Sequence, residues 1–167
     1  MQIGSCPYHN PMQILLLAVG KCRKPYLRVG VSDYIDRIRR YTSLEHIEVK
    51  EEPAPDRGTA PNGLCKEGER ILRRVPQNAF IVALDPAGES CSSDGLARRI
   101  SRIGLEGTGR IAFVVGGPSG LAARVIRRAD WRLSLSSLTF PHEIARLVVL
   151  EQIYRAFTIM RGEPHHR

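Results

Sequence analysis

The sequence predicts an α/β domain with a mainly parallel sheet flanked by helices. Three observations lead to this fold class. Strand-like and helix-like segments alternate along the chain, the strand-like segments are near-continuous apolar runs, and 167 residues suit a single domain. Such apolar runs are typical of strands whose two faces are both covered by helices. In sheets of this kind, ligands bind at the carboxyl ends of the strands.

The first half of the chain is divided by apolar patterning and by loop-forming residues. An apolar run at residues 14–19 predicts the first strand, and a basic loop over residues 21–30 separates it from a helix around residues 34–41. Alternating apolar and polar residues at 46–53 predict a second strand, which a loop rich in Pro, Gly and Asp follows. A short helix is then expected at about residues 64–74.

The second half continues the alternation. The β-branched run "AFIVALD" at residues 79–85 predicts a third strand, and the loop "PAGESCSS" after it supplies Ser92 or Ser93 as the N-cap of a helix that stops at Gly104. The remaining predicted elements are a fourth strand at residues 110–115, a helix at 121–129, a fifth strand at 131–135 and a last helix that has Pro141 at its first position and runs to residue 161.

The N-terminus and the cysteines indicate the compartment. We expect one domain over residues 12–167 after a disordered extension of residues 1–11, because Met-Gln-Ile at residue 1 recurs at residue 12 and makes Met12 a candidate start. The N-terminus lacks a basic signal region, and its apolar run is too short to span a membrane. The four cysteines are scattered without a C-x-x-C pair, which does not support a zinc site. The sequence therefore predicts a cytoplasmic protein that needs neither a metal nor a membrane.

The charge balance favours a polyanionic partner. The chain has 25 Lys plus Arg against 17 Asp plus Glu, a net charge of +8. Its isoelectric point is near 9.8. Nucleic acid is the leading candidate, since basic side chains neutralise phosphates and release counterions. A basic surface that merely keeps the protein in solution is the alternative that charge alone leaves open.

A glycine-rich loop follows the fourth predicted strand in "RIAFVVGGPSGLAARV", residues 110–125. Gly116, Gly117 and Gly120 allow positive φ and a close backbone approach, and Pro118 stiffens the loop between them. The order matches neither the G-x-G-x-x-G fingerprint nor a phosphate-binding P-loop, and Ser119 does not fit the G-x-S-x-G pattern of a nucleophile. The loop alone leaves a ligand site and an ordinary tight turn equally open.

The loops after Leu84, Val115 and Leu135 all leave strand ends, so we expect them to meet at one site. The helix that follows is apolar on most of its circumference. A homodimer interface would take the apolar surplus, whereas a central core helix in a monomer is the alternative. The residues concerned are Ile144, Leu147, Val148, Leu150, Ile153, Tyr154, Phe157 and Ile159.

Four segments together resemble the RlmH-type family of SPOUT methyltransferases: "LDPAGESCSSDGLA", "FVVGGPSGL", "LSLSSLTFPHEIARLVVLEQIYRA" and the terminal "GEPHHR". The resemblance covers nearly everything from Met12 onward, and the ordered set is specific although each motif alone is weak. It implies an α/β fold with a C-terminal trefoil knot, a rare exception to unknotted topology. It also implies S-adenosylmethionine as cofactor, a homodimer, and methylation of ring nitrogen 3 of a pseudouridine in the 23S ribosomal RNA of the large subunit.

Carried over by position, the resemblance implies a cofactor site in the loops at the strand ends. The glycines would make room for the cofactor, and three leucines would pack its apolar parts. The implied residues are Leu84, Gly116, Gly117, Leu135, Ser136, Ser137, Leu138, Thr139 and Phe140.

The catalytic candidates are histidines and one arginine, because the methylated nitrogen must first lose a proton and histidine is the usual base near neutral pH. His142 matches the family's helix-start histidine and is either that base or a partner of nearby loop backbone. His166 matches a tail histidine that could reach substrate across the dimer, while His165 replaces the family's usual tyrosine. A disordered terminus is the alternative for both. Arg155 either faces an anion or pairs with Glu151, one helical turn before it.

The candidates for RNA binding are Lys21, Arg23 and Lys24 in the early loop and Arg146 on the last helix. The few aromatic residues indicate no stacking platform for bases. The expected substrate is ribosomal RNA, within the assembled ribosome. Two other hypotheses stay open. One is a non-catalytic RNA- or ribosome-binding protein of the same fold, which the replacement at His165 motivates, and the other is a methyltransferase with a different RNA target.

Overall fold

In a computed structural model of the chain, residues 12–53 and 61–164 are described, and they form five strands and five helices. The expectation of a disordered extension at residues 1–11 lies outside the described residues. In chain order the elements are β1 (Gln13–Val19), α1 (Pro25–Ile38), β2 (Ser43–Val49), α2 (Pro61–Arg74), β3 (Phe80–Ser90), α3 (Ser93–Leu105), β4 (Arg110–Val115), α4 (Ala123–Arg128), β5 (Trp131–Ser134) and α5 (His142–Met160).

The five strands form one sheet in the order β2-β1-β4-β3-β5, and every neighbouring pair is parallel. The predicted α/β class is therefore confirmed. Side chains alternate between the two faces of each strand, so Leu16 and Phe113 pack with α1, α3 and α5, whereas Leu17 and Val114 pack with α2 and α4. All four are completely buried, which explains why β1 and β4 read as continuous apolar runs.

Helix α5 lies between α1 and α3 on one face of the sheet. Its side towards the sheet is buried, as the core alternative requires. At Gly30 of α1, an added Cβ would lie 3.1 Å from Leu147 Cδ1, so the missing side chain allows the two helices to approach closely. The apolar side chains of α5 that stay half-buried are Ile144, Ala145, Leu147, Val148, Tyr154, Ile159 and Met160.

Several predicted bounds are wrong, and the reasons are local. Helix α1 begins at Pro25, inside the segment expected to be loop, because proline suits a first helical turn whose N–H groups have no intrahelical acceptor. Strand β3 continues through the expected loop to its end at position 90, since a bulge lets both Leu84 and Glu89 oppose Leu133 of β5. Pro141 is the N-cap of α5 rather than its first helical residue. Of the two candidate N-caps of α3, the side chain of residue 92 accepts the capping bond.

Candidate functional site

One cavity of about 480 Å³ opens at the carboxyl edge of the sheet. The bulged part of β3 at residues 84–86 and the loops after β4 and β5 line it, because these three strands are neighbours in a parallel sheet and run towards the same edge. The segments after Leu84, Val115 and Leu135 therefore meet as expected, although the first of them belongs to β3 rather than to a loop. Of the residues assigned to a cofactor by resemblance, the cavity is lined by Leu84, Gly116, Gly117, Leu135, Ser136, Leu138, Thr139 and Phe140, and Ser137 is not among its lining residues.

Sequence reasoning missed several lining residues, of which Asp85, Leu133, Ser134 and Ala145 are examples. Asp85 stands directly after Leu84 in the quoted "LDPAG" segment, so its place in the motif was the available signal. Leu133 and Ser134 belong to β5, and no pattern in the sequence indicated which of its side chains face the cavity.

The packing of the protein itself requires glycine at two positions of the glycine-rich loop. A Cβ at Gly116 would lie 2.5 Å from the carbonyl carbon and oxygen of Gly120, and one at Gly117 would lie 3.0 Å from Val19 Cγ1. Of these three glycines, only Gly120 has positive φ, at 82°. The positions that a Cβ would take at the first two glycines are therefore occupied by the loop and by β1.

The bulge of β3 forms a second wall of the cavity. Asp85 Oδ1 accepts a hydrogen bond from Ala87 N at 3.0 Å, and its Oδ2 accepts one from Arg132 Nε at 2.9 Å. A Cβ at Gly88 would meet the Arg132 carbonyl at 2.7 Å. Both oxygens of Asp85 are thus engaged by the protein, and the carboxylate holds the wall in place.

The loop between β5 and α5 forms the third wall. Ser134 Oγ donates to the Ser136 carbonyl at 3.0 Å, and Ser136 Oγ accepts from Leu138 N at 3.0 Å. These bonds turn apolar side chains towards the rim, where Leu138 is 71% exposed and Phe140 is 38% exposed. The cavity therefore combines an apolar rim with the backbone groups of two tight loops.

His142 lines the cavity at the first residue of α5. A Cβ placed on Gly20 would lie 3.6 Å from His142 Nε2 and 3.0 Å from Glu51 Oε2, so the imidazole stands between the cavity and the end of β1. Burial lowers the pKa of His142, although the negative charges of Glu51 and Glu143 oppose this shift. The ring is therefore neutral at pH 7 and able to accept a proton.

Arg146 does not face RNA, which corrects the expectation for this residue. Its side chain is completely buried. One terminal nitrogen donates to Glu48 Oε1 at 2.9 Å, and the other donates to the carbonyls of Val19 at 3.2 Å and Gly20 at 2.8 Å. The guanidinium joins the end of β1 to β2 and α5, because buried strand-end carbonyls need donors.

The other basic candidates lie in residues 21–24, which follow β1 at the same edge of the sheet. Because α1 begins at Pro25, only these four residues of the expected basic loop are a loop, and they are called the basic loop from here on. Lys21, Arg23 and Lys24 are exposed, whereas Cys22 is buried. The Arg23 side chain is 77% exposed and lies 3.5 Å from Glu51. These three cations are therefore available to a ligand in solvent.

Arg155 and the tail histidines lie away from this cavity or outside the described residues. Arg155 Nε donates to Glu151 Oε1 at 2.9 Å, the helical pair that was its alternative. It stands 13 residues after His142, about 20 Å along α5. His165 and His166 fall outside the described residues. Of the four catalytic candidates, the two in the described residues, His142 and Arg155, are not brought together within one chain.

Two further expectations concern metals and membranes. Within residues 12–53 and 61–164, no group of three or more His, Cys, Asp or Glu side chains is arranged to hold a metal ion. Among the helices in this part of the chain, none is both long and apolar enough to span a bilayer.

Comparison with known proteins identifies a family model and relatives that match most of the chain. A family model described as "Predicted SPOUT methyltransferase" matches residues 12–166. The ribosomal RNA large subunit methyltransferase H of Carboxydothermus hydrogenoformans is 43% identical over 159 aligned residues, which cover 93% of this chain and all of that protein. The proteins of the same name from Clostridium kluyveri and Ruminiclostridium cellulolyticum are 41% and 43% identical, and the aligned 159 residues cover 93% of this chain and all of each relative.

Proposed function

The chain belongs to the SPOUT methyltransferase family. On that premise we propose that it transfers a methyl group from S-adenosylmethionine to ring nitrogen 3 of a pseudouridine in 23S ribosomal RNA. The relatives that match along their whole length are named as large-subunit ribosomal RNA methyltransferases, which supports this class of substrate. Family membership also carries the expectation of a C-terminal trefoil knot.

The cavity at the carboxyl edge of the sheet is the observation that carries the proposal. Its volume of about 480 Å³ lies within the range of roughly 300–1,000 Å³ that is usual for small-molecule sites. Leu84, Leu135 and Leu138 offer apolar surface, and the glycine loop offers backbone donors and acceptors. These residues fit a ligand that has a purine, a ribose and an amino-acid arm.

When bound, S-adenosylmethionine supplies an activated methyl group on its sulfonium. The contribution of the chain is to orient the target base, exclude water and remove the proton from ring nitrogen 3. We assign the removal of that proton to His142, because its imidazole lines the cavity and its lowered pKa leaves the ring neutral at pH 7. His166, and His165 in place of the family tyrosine, remain candidates from the tail.

The tail histidines would have to act in a second copy of the chain. Helix α5 begins at the cavity, and its 19 residues extend about 27 Å away from it. Beyond the helix, Glu163 N donates to the Thr158 carbonyl at 2.9 Å, and the Tyr41 hydroxyl donates to the Glu163 carboxylate. His166 follows Glu163 by three residues in the sequence, and three residues of extended chain span at most about 11 Å.

A homodimer would bring the separated candidates together. The half-buried apolar side of α5 offers it a surface, beside the exposed Tyr26 and Val29 of α1. In such a dimer, the tail and Arg155 of one copy would approach the cavity of the other. This arrangement reconciles the distance along α5 with a catalytic role for the tail.

The RNA contact is assigned to Lys21, Arg23 and Lys24, which are exposed at the same edge of the sheet as the cavity. The net charge of +8 supports a polyanionic substrate. We propose the assembled ribosome as the substrate and the cytoplasm as the compartment.

The test is incubation of the protein with tritiated S-adenosylmethionine and ribosomes from a strain that lacks the corresponding enzyme, followed by mapping of the label. Label on one pseudouridine of the large subunit is the expected result. Label on another nucleotide would favour a different RNA target. Cofactor binding without transfer would favour a non-catalytic binding protein. The absence of both cofactor binding and methyl transfer would refute the proposal.

A matched pair of leucines tests the cavity itself. Leu138 at the cavity rim and Leu105 at the end of α3 are both 71% exposed, and only Leu138 lines the cavity. We expect Leu138→Ala to weaken S-adenosylmethionine binding about fivefold to tenfold, because apolar contact is lost. Leu105→Ala should leave it unchanged. Equal affinities for both variants would place the cofactor elsewhere.

A further inference from the structure

The basic loop is held by two carboxylates that belong to other elements. Glu48 of β2 accepts a hydrogen bond from Cys22 N at 3.1 Å. Glu143 of α5 accepts one from Arg23 N at 2.9 Å and one from Lys24 N at 3.2 Å. Three consecutive backbone N–H groups of the loop are thus bonded to acceptors of the protein itself.

This bonding determines how the loop can meet RNA. Because the N–H groups of residues 22–24 are engaged, the loop presents the exposed side chains of Lys21, Arg23 and Lys24 to phosphates. Contacts of that kind set the register of a nucleic acid on a protein without reading its bases. The directions of the three side chains depend on the backbone that the carboxylates hold.

Glu143 connects this loop to the cavity. It directly follows His142, so the first turn of α5 positions both the imidazole at the cavity and the carboxylate at the loop. Burial raises the pKa of Glu143, but the hydrogen bonds from Lys24 N and Arg23 N outweigh it and lower the pKa below its ordinary value. The carboxylate is therefore ionised at neutral pH, the state in which it is the stronger acceptor.

Behind the loop, an ion pair between the buried Arg146 and the exposed Glu48 supports the same arrangement. The Glu48 oxygen that accepts from Cys22 N also accepts from Arg146. Arg146 in turn holds the carbonyls of Val19 and Gly20, directly before the loop. Movement of the basic loop relative to α5 would therefore break bonds on both sides of it.

We propose that Glu143 is a positioning residue for the RNA substrate. Its carboxylate holds the basic loop beside His142, so that phosphates bound by Lys21, Arg23 and Lys24 set the position of the target base over the cavity. The inference rests on the proposed function. It concerns how the RNA is positioned on the protein, which the methyl-transfer reaction itself does not specify.

The experiment compares steady-state methylation of ribosomes by full-length variants. We expect Glu143→Ala to raise the KM for ribosomes roughly tenfold, about 1.4 kcal/mol, while the Kd for S-adenosylmethionine is unchanged. Glu143→Gln keeps an acceptor oxygen in place and should recover most of the loss. The matched control is Glu69→Ala. Glu69 lies on α2, and its exposed carboxylate pairs with Arg124 of α4 at 2.7 Å, so its removal should not change the KM for ribosomes.

A double-mutant cycle separates this role from a general structural one. If Glu143 acts through the loop, Glu143→Ala should cause no further rise in KM when Lys21, Arg23 and Lys24 are already alanine. Equal effects in both backgrounds, or a parallel loss of cofactor affinity, would overturn the proposal. Should the alanine variant fail to fold, Glu143→Asp shortens the side chain by one methylene and must raise KM in the same direction.

The controls also distinguish the two levels of inference. A wild-type protein that does not methylate ribosomes refutes the proposed function. A wild-type protein that methylates them, with a Glu143→Ala variant of unchanged KM, refutes only the positioning role of Glu143.

Discussion

Substitution of Gly116 by alanine tests the packing of the glycine loop most directly. The new Cβ would lie 2.5 Å from the carbonyl carbon and oxygen of Gly120, whereas real Cβ atoms essentially never come closer than 3.0 Å. One of the two segments must therefore move by at least half an ångström. The obstructing atoms are backbone, and the residue that carries them is held at a φ of 82°, so no side-chain rotation relieves the contact.

Overpacking of this kind typically costs about 1–3 kcal/mol, and we expect about 2–3 kcal/mol here because backbone must shift. For a domain of this size, that corresponds to a melting temperature lower by roughly 4–12 °C. Since Gly116 lines the cavity, the displaced loop should also weaken S-adenosylmethionine binding about tenfold. Calorimetric melting and titration at a temperature where the variant is folded measure both effects.

Gly109→Ala is the matched control. A Cβ at Gly109 would meet nothing within 4 Å, and its φ is not positive, so its stability should change by less than about 0.5 kcal/mol. A Gly116→Ala variant with the melting temperature and cofactor affinity of the wild type would show that the loop has free room. An equal loss at Gly109 would assign the effect to glycine replacement in general.

Three further predictions concern buried or bonded polar groups. Arg146→Ala leaves the buried carbonyls of Val19 and Gly20 without the Arg146 donor and leaves a cavity, and should lower the free energy of unfolding in urea by about 3 kcal/mol; a loss under 1 kcal/mol would contradict this. Because burial lowers the pKa of His142, the histidine is protonated in the unfolded chain at a higher pH than in the folded protein. The free energy of unfolding should therefore decrease as the pH is lowered through about 6.5, and it should decrease less steeply in His142→Gln. Burial and the hydrogen bond to Glu163 raise the pKa of Tyr41 to about 12, so ultraviolet titration should show a late component that Tyr41→Phe removes.

Where the sequence predicted elements well, one local property was sufficient. Strand β4 has the bounds Arg110–Val115 that were expected, because a strand with both faces buried appears as an uninterrupted apolar run. The meeting at one cavity of the segments after Leu84, Val115 and Leu135 was also predictable, since parallel strands run towards the same edge.

Where the prediction failed, the deciding partner lay elsewhere in the chain. The continuation of β3 to Ser90 depends on pairing with β5, which begins only at Trp131. No local pattern between these residues distinguishes a bulged strand from a loop, because the hydrogen bonds that define it are made to another strand.

By itself, the sequence determined the fold class, the family, and the group of loops that form the cavity, because these follow from apolar periodicity and ordered motifs. Only the tertiary structure decided what individual polar and small residues do. Arg146 looked like a cation for RNA, yet its donors bond to carbonyls 126 and 127 residues earlier in the chain. Gly116 was expected to leave space for a ligand, yet the position that a Cβ would take there lies against the backbone of Gly120. Both roles depend on which backbone groups folding brings beside a residue, and a side chain's identity does not record its neighbours.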